Sequence, residues 1–349
     1  MLQLKKLKSS VAGVVVILMM TACEKSDRSF SLLSDTAKFQ QTTQFVPRKI
    51  DILWVVDNSG SMATSQQNLT DNFASFITRF ESLSYDFHMA VTSTDAWRGK
   101  YIGQQSLRRV RDGSDASGHS NVFVMDNTTS NLSNVFMINA TQGINGTGDE
   151  RAFESLEDVL TYTPNNDFRR TGAYLAVIIV SDEDDFSATT STYQNNNYSS
   201  PNLISVQHYQ DFFNNLVGAD NYSVNAITIM DAACRDLLNQ TTSGRRIGVR
   251  YMDLADRTKG MKVSLCSAFG ENLTLISDKI LELANTFKLD REPIPETIKV
   301  TVNGVNVSQD AVNGWTYDSS NWTIAFHGTS VPPSGADVQI HFDPVAPKN

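Results

Sequence analysis

The chain has 349 residues, 38 acidic and 29 basic, for a formal charge of −9, and 40% of its residues are hydrophobic. That length and apolar content support one large hydrophobic core with a small companion module. The acidic balance excludes attraction to nucleic acid or anionic lipid by charge alone, so no nucleic-acid partner is expected.

The first element is a leader. Lys5, Lys6 and Lys8 precede an uncharged apolar run, Val11 to Met20. This run is shorter than the roughly 20 apolar residues a helix needs to cross a bilayer. A basic start, a short apolar core and small residues before a break describe a secretory signal over residues 1–22. The stretch that ends it, "MTAC" (Met20 to Cys23), resembles a bacterial lipoprotein lipobox, with Met20 where leucine is usual. The resemblance implies acylation of Cys23 and membrane contact through its acyl chains, at about 0.8 kcal/mol per buried CH₂. Glu24 rather than aspartate follows the cysteine. By analogy with enterobacterial sorting this favours the outer membrane, so the expected location is lipid-anchored in the bacterial envelope. The alternative is an ordinary signal peptide cleaved nearby. Loss of residues 1–22 removes three lysines and takes the formal charge from −9 to −12.

Residues 23–48 are polar and rich in Ser, Thr and Gln, which reads as a tether. Short apolar runs then alternate with helical patterns. "IDILWVV" (Ile50 to Val56) has the near-continuous apolar character of a parallel strand covered on both faces. Leu69, Phe73, Phe76, Ile77 and Phe80 share one helical face. Tyr85 to Thr94 is a second strand, and the Gly/Asn/Asp/Ser-rich stretch to about residue 145 shows no clear period. Glu150 to Leu160 is helical, and Ala173 to Ser181 is the most hydrophobic strand of the mature chain, hence central. A loop (Tyr193 to Asn202), a helix, a strand (Tyr222 to Met230), another helix and a short strand "MKVSLCS" follow. A last helix places Leu273, Ile276, Ile280, Leu283 and Phe287 on one stripe. The alternation predicts an α/β fold: a doubly wound, mostly parallel sheet flanked by helices, over residues 49–288. Asp290 to Pro295 breaks the pattern. Residues 293–345 then read as a small C-terminal all-β module, with a hairpin at Asn303-Gly304.

Besides Cys23 there are two cysteines, Cys234 and Cys266. In an oxidising compartment an isolated pair reads as a disulfide, which for a loop of about 30 residues contributes roughly 3 kcal/mol. Two separate buried thiols are the alternative.

Open parallel sheets bind ligands at the carboxyl ends of their strands, where strand order reverses. Asp57 follows one such strand in "WVVDNSGSM", with Ser59 and Ser61 at alternate positions, and Asp182 follows the central one. Two readings of the three oxygen-bearing residues compete. They cap a helix, or they converge on a hard divalent cation. "DNSGSM" after "ILWVV" resembles the first motif of a von Willebrand factor type A (VWA) domain with a metal-ion-dependent adhesion site. That family adds a threonine before a helix and an aspartate after the central strand. The resemblance therefore implies the ligand set Asp57, Ser59, Ser61, Thr147 and Asp182. Thr141 is a rival to Thr147, but lies further from the helix. It also implies Mg²⁺ or Mn²⁺, with Ca²⁺ an option, and a protein partner whose Asp or Glu carboxylate completes the coordination sphere. Glu183, Asp184 and Asp185 replace the glycine usual after the last aspartate, and read either as extra metal ligands or as a solvated acidic loop. "GTGDERAFE", "SDEDDFS", "VNG" and "VPPSGA" resemble a group of bacterial envelope proteins, often lipoproteins, of mostly unassigned role.

An enzyme is not expected. There is no G-x-S-x-G or G-x-x-x-x-G-K-[ST] motif, and the five histidines form no H-x-x-H pair. The expected function is metal-dependent binding of a protein or a surface glycan. A structural subunit of an envelope assembly, without the metal, is the alternative from another class, and a metal-dependent hydrolase comes third. Arg98, Lys100, Arg108, Arg109 and Arg111 read as a charged surface loop or as a basic rim for an acidic partner or glycan.

Overall fold

The computed structural model describes residues 39–44 and 48–345. The leader and Cys23 lie outside them. The described chain opens with β1 (Phe39–Gln44), β2 (Ile50–Val56), α1 (Ala63–Ser82) and β3 (Phe87–Ser93). The stretch without a clear period holds α2 (Arg98–Ile102), the two-residue strands β4 (Gly113–Ser114), β5 (Gly118–His119) and β6 (Met125–Asp126), and α3 (Leu132–Ala140). Then come α4 (Ala152–Thr161), β7 (Tyr174–Ser181), α5 (Val206–Val217), β8 (Tyr222–Thr228), α6 (Ala232–Leu238), α7 (Val249–Arg257), β9 (Lys262–Ser264) and α8 (Phe269–Ala284). Strands β10 (Thr286–Lys288), β11 (Lys299–Val302), β12 (Val305–Val307), β13 (Trp315–Asp318), β14 (Thr323–Phe326) and β15 (Asp337–Phe342) complete it.

The central sheet has the order β6-β3-β2-β7-β8-β9, parallel throughout except for β6. Every residue of β2 and of β7 is buried, because helices cover both faces. Alternate side chains point to opposite faces. Ile50, Ile52, Trp54 and Val56 join the core under α1, α3 and α8, whereas Leu53 and Val55 join a second core under α4, α5 and α7. α1 forms because Leu69, Phe73, Phe76, Ile77 and Phe80 all bury on one face. From β2 the chain steps to β3 on one side and later returns to β7 on the other. The gap between β2 and β7 is thus the point where strand order reverses.

Three expectations need correction. Residues 39–44, read as tether, form β1 and pair antiparallel with β15 along six residues. Phe287, read on the stripe of the last helix, lies beyond its end in β10, which pairs with β14. The small module therefore recruits a strand from each side of the α/β region, giving sheets β1-β15-β11-β12 and β10-β14-β13. The third is the solvated acidic loop, whose Asp184 and Asp185 are fully buried. Asn303 and Gly304 do form the β11–β12 turn, with φ of 51° and 76°, as a type I′ hairpin requires. Val300, Trp315, Ile324, Phe326, Val338 and Ile340 join the same hydrophobic core as α1 and α8.

Cys234 and Cys266 form a disulfide with a Cα–Cα distance of 5.7 Å, 32 residues apart in sequence. It ties α6 to the turn after β9. Replacing both cysteines by serine is expected to reduce stability by about 3 kcal/mol, because the unfolded chain regains the entropy of the open loop. Urea unfolding with and without the bond measures this directly.

Candidate metal centre

Asp57 leaves β2 at its carboxyl end and is locked to the neighbouring strand by Asp57 N donating to Val180 O at 3.0 Å. Its carboxylate is wholly buried. One oxygen accepts from Ser59 N at 2.7 Å, and the other accepts from Ser181 Oγ at 2.6 Å. Ser59 Oγ and Ser61 Oγ lie 3.2 Å apart, and Ser61 Oγ donates to Asp182 Oδ1 at 2.9 Å. Four of the five expected residues therefore meet in one chain of contacts. The capping alternative fails, because α1 begins after Met62 with no side-chain cap. Ser59 and Ser61 are free of that duty.

Thr147 is brought beside this group but not into it. Its hydroxyl donates to Asp95 Oδ1 at 2.5 Å. Its loop is held against Asn58 through Gly146 N donating to Asn58 O at 2.7 Å. A Cβ on Gly146 would approach the Asn58 carboxamide to 2.6 Å, so glycine is needed for this close approach. Thr141, the rival, bonds Met137 O of α3 instead.

Asp182 is engaged at both oxygens. Arg245 Nε donates to its Oδ2 at 2.7 Å, and Arg245 Nη2 reaches Ser61 O at 3.2 Å. The buried guanidinium thus joins the ends of β7 and β2. Asp184 and Asp185 do not form a solvated loop, and each is held by protein donors. Asp184 accepts from Arg250 N and Tyr198 Oη, while Asp185 holds Phe153 N at the start of α4 and pairs with Arg250 at 3.1 Å. Both are fully buried. The arginine-rich stretch is likewise paired internally at four of its five cations: Arg98 with Asp95, Lys100 with Glu154, Arg108 with Asp158 and Arg109 with Asp167. It leaves little free positive charge for a partner.

Burial, reinforced by the Asp182 carboxylate, pushes the Asp57 carboxyl up to about 7. Glu183 is pushed up to about 8 by burial and by the charges of Asp57 and Asp182. Among the described residues Asp57 makes no ion pair, and no group of three His, Cys, Asp or Glu is arranged to hold a metal. The donor set instead consists of one carboxylate without a cationic partner and adjacent hydroxyls, which are hard oxygen ligands that suit Mg²⁺ or Mn²⁺. A cation there would relieve the crowding of Asp57 and Asp182. These residues fit a divalent ion.

Sequence reasoning missed Asp95, Arg245 and the role of Glu150. Asp95 carried the same signal as Asp57, an acid just after a strand, at the end of β3. Arg245 carried none, since its partner lies 63 residues away.

No protein-family model matches the chain, and no curated protein matches it. Solved structures do. The pilus adhesin SpaC from Lactobacillus rhamnosus GG, in its open conformation, aligns at TM-score 0.39 and 14% identity, over 86% of this chain and 39% of that one. Proximal thread matrix protein 1 from the mussel byssus aligns at TM-score 0.37 and 12% identity, over 72% of this chain and 52% of that one. The chain thus spans about two-fifths of the adhesin's length. Likeness at this level leaves function to be argued from the residues.

Proposed function

We propose that this chain is an envelope lipoprotein, anchored through acylated Cys23, whose α/β region is a VWA domain that binds a protein partner through a divalent cation. The observation that supports it most is the meeting of Asp57, Ser59, Ser61 and Asp182 where strand order reverses, with no capping duty to account for the serines. A cation bound there would supply Lewis acidity toward a partner's Asp or Glu carboxylate. Asp57 would hold it by charge, Ser59 and Ser61 would orient it, and Asp182 would fix Ser61. Ile144, Tyr193 and Tyr198 are exposed large side chains, and Tyr193 Oη bonds Gly148 O next to Thr147. They offer an apolar rim to a protein surface. A binding role rather than catalysis is favoured because His88, His119, His208 and His327 engage Phe168, Asp112, Glu157, Thr316 and Glu282, none of them in the site.

One observation favours a second reading, a structural subunit of an envelope assembly without the metal: Arg245 already neutralises Asp182. Calorimetric titration of Mg²⁺ and Mn²⁺ into the full chain separates the two. Binding with a Kd of about 1 mM or tighter, lost in Asp57→Ala, is expected. Absence of binding by the folded parent protein favours the structural subunit.

A further inference from the structure

Glu150 lies two residues before α4 and three after Thr147, and it is 1% exposed. Its backbone is fixed, since Phe186 N donates to Glu150 O at 2.7 Å. Its side chain is different. Neither carboxylate oxygen has a hydrogen-bond partner of normal geometry. Five other buried acids of this region are provided for: Asp95 by Arg98 and Thr147, Asp149 by Arg151, Asp182 by Arg245, Asp184 by Tyr198 and Asp185 by Arg250, whereas Glu183 makes no ion pair among the described residues. Buried polar groups in folded proteins nearly always find a partner, and an isolated buried charge is costly.

The groups that face Glu150 are Asp57, Glu183 and Asp95, all acidic, and the Thr94 hydroxyl, which donates to Asn58. No cationic side chain is among them. A positive ion between Glu150 and Asp57 would resolve this. We propose that Glu150 supplies the second carboxylate for the cation held at Asp57, directly or through one bound water. This rests on the metal reading above.

The test compares the full-length parent with Glu150→Gln, Glu150→Met and Asp57→Ala, titrating Mn²⁺ by calorimetry and following thermal unfolding with and without the ion. Glutamine keeps the shape and loses the charge. Methionine also removes the unpaired polar atoms, so it should fold if glutamine does not. Expected are Mn²⁺ affinity at least about 10-fold weaker in both Glu150 variants, and metal-free unfolding temperatures no lower than the parent's in Glu150→Met. Parent-like Mn²⁺ affinity in a folded Glu150 variant, with binding lost in Asp57→Ala, overturns the role of Glu150 and leaves the metal reading intact. A folded parent that binds no Mn²⁺ overturns both.

Discussion

Replacing Arg151 by alanine is expected to lower the unfolding free energy by about 3 to 5 kcal/mol, the cost of breaking a buried pair from one side. Arg151 is wholly buried, just before α4. Its Nε and Nη2 both donate to Asp149 Oδ2, at 2.8 and 2.5 Å, while Nη1 reaches Thr190 O and Nη2 reaches Thr192 O. The guanidinium also lies 4.1 Å from the centre of the Trp97 ring. Truncation strands a buried carboxylate and two carbonyls, and frees the segment 190–192 from the loop that carries Thr147 and Glu150. Lysine is expected to recover only part of the loss, since an ammonium cannot reproduce the planar fork. A cycle with Asp149→Ala checks the mechanism: the double variant should lose clearly less than the two single losses added together. Urea midpoints followed by circular dichroism supply the numbers. A single-variant loss below about 1 kcal/mol would place Arg151 among ordinary surface charges.

The second large effect lies under the site. Trp54→Ala is expected to cost about 3 to 5 kcal/mol, from lost burial and the cavity left behind. The ring packs edge-on to Phe76 of α1 at 5.0 Å and to Phe136 of α3 at 5.2 Å, and those two helices meet again where Phe73 stacks on Phe136. A well-packed interior relaxes little around such a gap. Trp54 Nε1 is buried without a hydrogen-bond partner. Trp54→Phe removes that unpaired N–H together with part of the ring, so its cost should stay below about 1.5 kcal/mol. Equal losses for alanine and phenylalanine would contradict this account. Because Trp54 lies on the strand that ends just before Asp57, the alanine variant should also loosen the strand end, visible as faster amide exchange at Val55 and Val56.

Much of this was legible from local pattern. The apolar run of β2 and the one-sided stripe of α1 are periodicities, set by which side chains one element presents to its neighbours. The Asn303-Gly304 hairpin is backbone chemistry within two residues. Asp57 and Asp182 were legible for the same reason: an acid directly after a buried strand sits at the strand end wherever the sheet is built. The disulfide followed from having a single pair of cysteines besides Cys23.

What local pattern could not decide was which charge meets which. The acids after β7 look alike in sequence, yet Asp182 faces Arg245, Asp184 faces Tyr198 and Asp185 faces Arg250, while Glu150, before α4, faces only other acids and a hydroxyl. Those pairings join residues up to 65 positions apart and exist only after the strands are in order. The pairing of β1 with β15 and of β10 with β14 was hidden for the same reason, because a polar or very short segment becomes a strand when an open edge offers its hydrogen bonds. The sequence by itself determined the layered α/β core and the strand end that carries Asp57. The tertiary structure alone decided that both carboxylate oxygens of Glu150 are buried without a partner, because buried charge is compensated by whatever folding brings near, at any distance along the chain.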